Sequence, residues 1–180
     1  MLKRREVLQG LIVSMGGAAA LTACSGVATV VATPHGQPGR FYTAQEMLFL
    51  SRFSDLIIPR TETPGAVDVN VSGYMDALMT DWANDETRAS HRGAMTRIQN
   101  ELNSRVGGSF ADAGEDQAVQ ELTALDASVF DGSMELEGYR TVKGYISRSY
   151  FATEGGAVEE LKWVAVPGRW DPSVDISDTL

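Results

Sequence analysis

From Met47 to Tyr150 the apolar residues recur every three or four positions, in stretches separated by Pro and Gly. That spacing stacks side chains along one face of a helix, whereas a half-buried strand would alternate with a period of two. Met47, Leu50 and Ile57 form one stripe, and Phe49, Phe53 and Leu56 an adjoining one. Thr43-Ala44-Gln45-Glu46 ahead of them has capping-box spacing, and Pro59 ends the run. A second helix is predicted after Asn70 or Ser72, carrying Tyr74, Met75, Leu78 and Trp82. A third starts at Asn84 or Asp85, carries Met95, Ile98 and Leu102, and stops near Arg105 before Gly107-Gly108. After a short connection at Phe110, a fourth begins near Glu115 with Val119, Leu122, Leu125 and Val129. A fifth is predicted from Ser133, with Glu135 to Glu137 in its first turn and Leu136, Tyr139, Val142, Ile146 and Tyr150 on its apolar face. Gly155-Gly156, a short segment to Trp163 and a tail from Pro167 follow. No alternating run and no internal repeat competes, so the expected fold is all-α, a single domain of about five main helices.

Upstream, Lys3-Arg4-Arg5 is followed by a stretch without Lys, Arg, Asp or Glu from Val7 through Gly39, with Leu11-Ile12-Val13 leading into Gly16-Gly17-Ala18-Ala19-Ala20. A cationic head, a short apolar segment and small residues are the layout of a secretory signal. Arg4 and Arg5 resemble the twin-arginine pattern, whose signals carry folded cargo. Leu21-Thr22-Ala23-Cys24 resembles a lipobox, which would make the sole cysteine, Cys24, a lipidation site. Two other readings stay open: a cut after Val30-Val31-Ala32, or an uncleaved anchor from Leu11 to Ala32, weak because Gly, Ser, Thr and Ala dominate it. The chain thus divides into a signal over 1–23, a tether over 24–40 and a helical domain over 41–180. The expected location is the periplasm, membrane-anchored through lipid.

The charge pattern excludes several function classes. Of 180 residues, 24 are acidic and 15 basic, a net charge of −9. Without Lys3, Arg4, Arg5 and Glu6 the balance is 12 basic against 23 acidic. Nucleic-acid binding rests on clustered Lys and Arg and is not expected. One cysteine allows no internal disulfide and no multi-cysteine zinc or iron–sulfur site. The two histidines, His35 and His91, lie in the tether and on a polar stretch near Arg88 and Arg92, neither at metal-ligand spacing. There is no nucleophile elbow, phosphate loop or haem-attachment motif. The abundant carboxylates, from Asp112 to Glu137, read as a solvated acidic face unless two of them share a cleft with separated pKa values.

The run Phe41-Tyr42-Thr43-Ala44-Gln45-Glu46, then Leu50, then Asp55-Leu56-Ile57-Ile58-Pro59-Arg60-Thr61-Glu62-Thr63-Pro64-Gly65-Ala66, resembles the opening signature of the gluconate 2-dehydrogenase subunit 3 family. The likeness continues at Val71, Tyr74 and Asp76 and returns in Tyr145-Ile146-Ser147, Thr153-Glu154-Gly155-Gly156, Leu161 and Pro167-Gly168. The resemblance implies a non-catalytic small subunit with no cofactor of its own. Its large partner would be an FAD-binding flavoprotein of the glucose–methanol–choline type that oxidises an alcohol group of a sugar, sugar acid or polyol. A cytochrome c subunit commonly takes the electrons. The small subunit would carry the twin-arginine signal for a leaderless flavoprotein, so that the folded pair is exported together.

The residues themselves offer two places for such a partner. Pro59 and Pro64 fix backbone angles in the loop Pro59, Arg60, Thr61, Thr63, Pro64 and Gly65, which could form a rigid recognition edge or simply join two helices. Trp163, Pro167 and Trp170 are candidate anchors, since Trp is enriched at binding hot spots, with core packing as the competing role. The alternative function is a free-standing periplasmic enzyme or ligand-binding lipoprotein, with carboxylates or Trp lining a pocket.

Overall fold

The computed structural model describes residues 32–34, 36–164 and 168. Arg4, Arg5, Cys24, His35, Pro167 and Trp170 lie outside the described residues. Among the described residues five α-helices follow one another: α1 (Ala44–Ile57), α2 (Val71–Asp81), α3 (Asp85–Val106), α4 (Glu115–Phe130) and α5 (Tyr139–Phe151). A 3₁₀ turn (Phe110–Asp112) separates α3 from α4, and a π-helical turn (Gly155–Glu160) follows α5. Among the described residues there is no strand, and the fold is all-α.

Polar caps set most of the starts. Thr43 Oγ1 accepts the Glu46 N–H (3.3 Å) while Glu46 Oε2 accepts the Thr43 N–H (2.8 Å), completing the capping box of α1. Asn70 caps α2 from a left-handed conformation, and Asn84 caps α3 by accepting the Thr87 N–H at 2.8 Å. Gly107, at φ 70°, closes α3.

The fifth helix starts later than its sequence predicts. Ser133 has the look of an N-cap, but its hydroxyl donates back to Ser128 O (3.2 Å) and its N–H to Asp131 Oδ1 (2.8 Å), so residues 131–138 form turns that finish α4. Gly138 begins α5 instead, because it sits at φ 84° and a Cβ there would come within 2.3 Å of Ala94 on α3.

Helix α5 packs on α2 and α3, α1 packs on α2 and α4, and α3 on α4. Their shared core includes a chain of rings: Phe49 stacks on Phe53 (centroids 5.6 Å apart), Phe110 meets Phe49 edge-on, and Tyr139 meets Phe53 edge-on. Met75, Ile98, Leu102, Leu125, Val142 and Ile146 fill the space around it, as their spacing predicts. Trp82 and Val119 do not: both are exposed, Trp82 just past the end of α2 and Val119 on the outer side of α4.

Candidate functional site

The loop after α1 is built to be stiff. Ala66 N–H donates to Ile58 O (2.8 Å), which closes the loop at its base. Gly65 is buried there so tightly that a Cβ would lie 2.6 Å from Arg60 N, and its N–H donates to Asp68 Oδ2 at 2.8 Å. Asp68 also takes the guanidinium of Arg60. That hydrogen bond, followed by the Gly65 N–H, holds the Asp68 carboxyl below the usual range. Pro59, Arg60, Thr61 and Glu62 are left exposed at the tip.

The structure joins this loop to the C-terminal segment. Tyr150, buried at the end of α5, donates its phenol proton to Pro64 O (2.7 Å), and the Thr63 hydroxyl bonds Glu160 in the π-helical turn. Trp163 follows that turn by three residues, and its N–H donates to Ala157 O at 2.9 Å. Trp163 is 57 % exposed, so the core-packing role does not apply to it. Phe151, Val158, Leu161 and Val164 are exposed along the same segment. Two sequence-predicted elements, the 59–65 loop and Trp163, are therefore both tied to the segment that runs from Tyr150 to Glu160.

A second constellation was not legible in the sequence. Asp76, wholly buried on α2, accepts four hydrogen bonds: Thr33 Oγ1–H (2.6 Å) and Arg40 N–H (2.9 Å) at Oδ2, Phe41 N–H (2.8 Å) and Tyr42 N–H (3.0 Å) at Oδ1. Burial alone would raise its pKa, but these donors together outweigh burial and hold it below the usual carboxylate value. Thr33 is fixed further by its N–H on Gly73 O (3.2 Å) and by Asn70 Nδ2 on its carbonyl (2.8 Å). Order expected from Phe41 onward thus reaches back to Thr33, inside the stretch expected to be a tether.

The sequence model for gluconate 2-dehydrogenase subunit 3 matches residues 44–168, most of the chain. The chain belongs to that family. No curated protein and no solved structure matches it. The family's name is that of a subunit of a dehydrogenase complex. The match takes in the rigid loop, Asp76, the π-helical turn and Trp163, whereas Thr33, Arg40, Phe41 and Tyr42, the donors to Asp76, precede it.

Beside this Asp76 clasp, the chain buries its described histidine. His91 is 3 % exposed and meets Tyr42 Oη through Nε2 at 2.5 Å. Burial, then the Asp76 and Glu46 carboxylates, push the Tyr42 phenol far up, so the phenol stays protonated and donates. Burial, followed by the neighbouring Arg92, lowers the His91 pKa to about 4. The unfolded chain, with an ordinary histidine near 6.5, then binds the proton that the folded chain refuses. Stability should fall as pH drops from about 6.5 to about 4, by at most roughly 3 kcal/mol, and His91→Gln should flatten that slope. Chemical denaturation at pH 7 and pH 4.5 for both proteins measures this.

A free-standing ligand binder requires a pocket, and the described residues form more than one cleft. A cleft of about 360 Å³ along α1 is lined by Met47, Leu48, Ser51, Asp55, Val67 and Asp112 among others. Burial raises the Asp55 pKa, and Arg52 beside it pairs with Glu115 at 2.7 Å. None of the tryptophans lines that cleft among the described residues.

Proposed function

We propose that this chain is the non-catalytic subunit of an FAD-dependent sugar, sugar-acid or polyol dehydrogenase, and that it assists assembly, export and membrane tethering of the flavoprotein. The family match carries this reading, because residues 44–168, with all five α-helices, match a family named as a subunit. The sequence upstream of that domain supplies the rest. Arg4-Arg5 suits a route for folded cargo, and a flavoprotein is such a cargo: FAD bound in the cytoplasm favours its folded state by mass action. The flavin and the electron-accepting cytochrome c belong to partners, and this chain contributes no cofactor.

Cys24 would supply the anchor. It precedes the clasped residue Thr33 by nine residues, so the folded domain would be held within roughly 30 Å of the bilayer even with the connection fully extended. Each buried methylene of an acyl chain adds ~0.8 kcal/mol of membrane affinity. Purification of the tagged chain from native membranes should bring a protein with flavin absorbance and sugar or polyol dehydrogenase activity. Cys24→Ser should move both into the soluble fraction. Purified chain with no flavoprotein would sink the subunit reading; unchanged mass and fractionation of Cys24→Ser would sink the lipid anchor alone.

A further inference from the structure

We propose that the ridge Phe151, Val158, Leu161, Trp163 and Val164, together with the tip of loop 59–66, is the surface that docks the flavoprotein subunit, and that the partner's matching face is apolar at its centre and basic at its rim. The proposal rests on the subunit reading above and names where and how that contact is made.

Five large apolar side chains exposed within one short segment are unusual on a chain that stands alone, where such residues are scattered singly. They are also held in place. Helix α5 positions Phe151, the Trp163 N–H is tied to Ala157 O, and the Thr63–Glu160 and Tyr150–Pro64 bonds lock the segment to the stiff loop. A surface ordered before contact loses less conformational freedom on binding, which is what a recognition surface needs.

Charge decides among the occupants. Glu154, Glu159 and Glu160 lie in the same 151–164 segment and are exposed, and Glu62 is exposed at the loop tip, against Arg60, Lys162 and Arg148, the last standing one turn before Phe151 on α5. Arg60 is already neutralised by Asp68. An anionic lipid surface would repel this rim. A second copy of the chain would set the same carboxylates against each other across a two-fold axis. A different protein with Lys or Arg around an apolar cup satisfies both the ridge and its rim, with the charges steering encounter and Trp163 supplying the buried anchor.

The test purifies the tagged full-length chain, co-expressed with the flavoprotein that accompanies the wild type, and reads flavin absorbance per subunit. Trp163→Ala and Leu161→Ser should each lower that ratio at least about tenfold. Trp82→Ala, at a still more exposed tryptophan outside the ridge, should leave it unchanged. Glu159→Lys, which leaves every apolar contact in place, should slow association and weaken its dependence on salt. Melting curves check that each variant is folded. Wild type that retains flavoprotein while the ridge variants retain it equally would overturn the docking surface and leave the subunit reading standing. Self-association through the ridge, or binding of the isolated chain to phosphatidylglycerol vesicles lost in Trp163→Ala, would overturn the choice of occupant. Failure of the wild type to retain any flavoprotein would overturn both.

Discussion

Asp76→Ala is expected to lower the melting temperature of the domain by roughly 8–16 °C, taking 2–4 °C per kcal/mol for a protein of this size. The carboxylate is completely buried and accepts the Thr33 hydroxyl and the backbone N–H groups of Arg40, Phe41 and Tyr42. Removing it strands buried donors, and the loss of a buried, multiply bonded charge costs ~4 kcal/mol. Thr33→Ala removes one donor and leaves the carboxylate three, so it should cost only ~1 kcal/mol. Asp76→Asn should resemble the alanine variant, because its amide group turns donors toward donors. Acid should reach the same clasp by another route. The folded pKa of Asp76 lies below its unfolded value, so its contribution is present above about pH 4 and is lost as pH falls through the lowered value. This window lies below the one for His91, so the two groups can be separated by titration. An Asp76→Ala protein melting within about 2 °C of wild type would show that the clasp contributes nothing.

The clasp also marks where the sequence stops being legible. Thr43, Asn70 and Asn84 could be read as caps because a cap is a local event, in which a side chain bonds a backbone N–H two or three residues on. Asp76 meets partners 34 to 43 residues away, and nothing at its own position announces them. His91 did leave a signal. It stands four residues before Met95 and shares the stripe that continues through Ile98 and Leu102, so helical spacing places it in the core although its neighbours Arg88 and Arg92 are polar. Trp82 misleads in the opposite way, since it fits the apolar spacing of α2 but stands past its last turn.

The candidate site divides along the same line. Pro59, Pro64 and Gly65 mark the loop, and Trp163 marks itself as one of only three tryptophans in the chain. Their joining depends on Tyr150 reaching Pro64 across 86 residues and Thr63 reaching Glu160 across 97. Pairings of that span are set by how α5 packs against α2, which no local pattern contains.

On the proposed function, Arg4→Lys with Arg5→Lys is expected to abolish export of this chain and of the proposed flavoprotein partner together, with periplasmic dehydrogenase activity lost almost entirely. The two arginines stand ahead of the uncharged stretch that begins at Val7, in Lys3-Arg4-Arg5-Glu6-Val7-Leu8. Lysine keeps their charge but lacks the planar guanidinium fork, so the double change removes the recognised shape while leaving the n-region cationic. The flavoprotein should then accumulate in the cytoplasm, folded and loaded with FAD, because loading precedes export. That outcome separates shared export from an address on each subunit. This chain alone gives little reason for a folded-protein route: it is acidic and carries a single cysteine. The route makes sense for a partner that must fold around its flavin before it leaves. Cell fractionation, with flavin absorbance and activity measured on each side of the inner membrane, reads the result. Activity that still reaches the periplasm in the double variant would mean that the flavoprotein carries its own signal, and shared export would be wrong even if the two subunits bind each other.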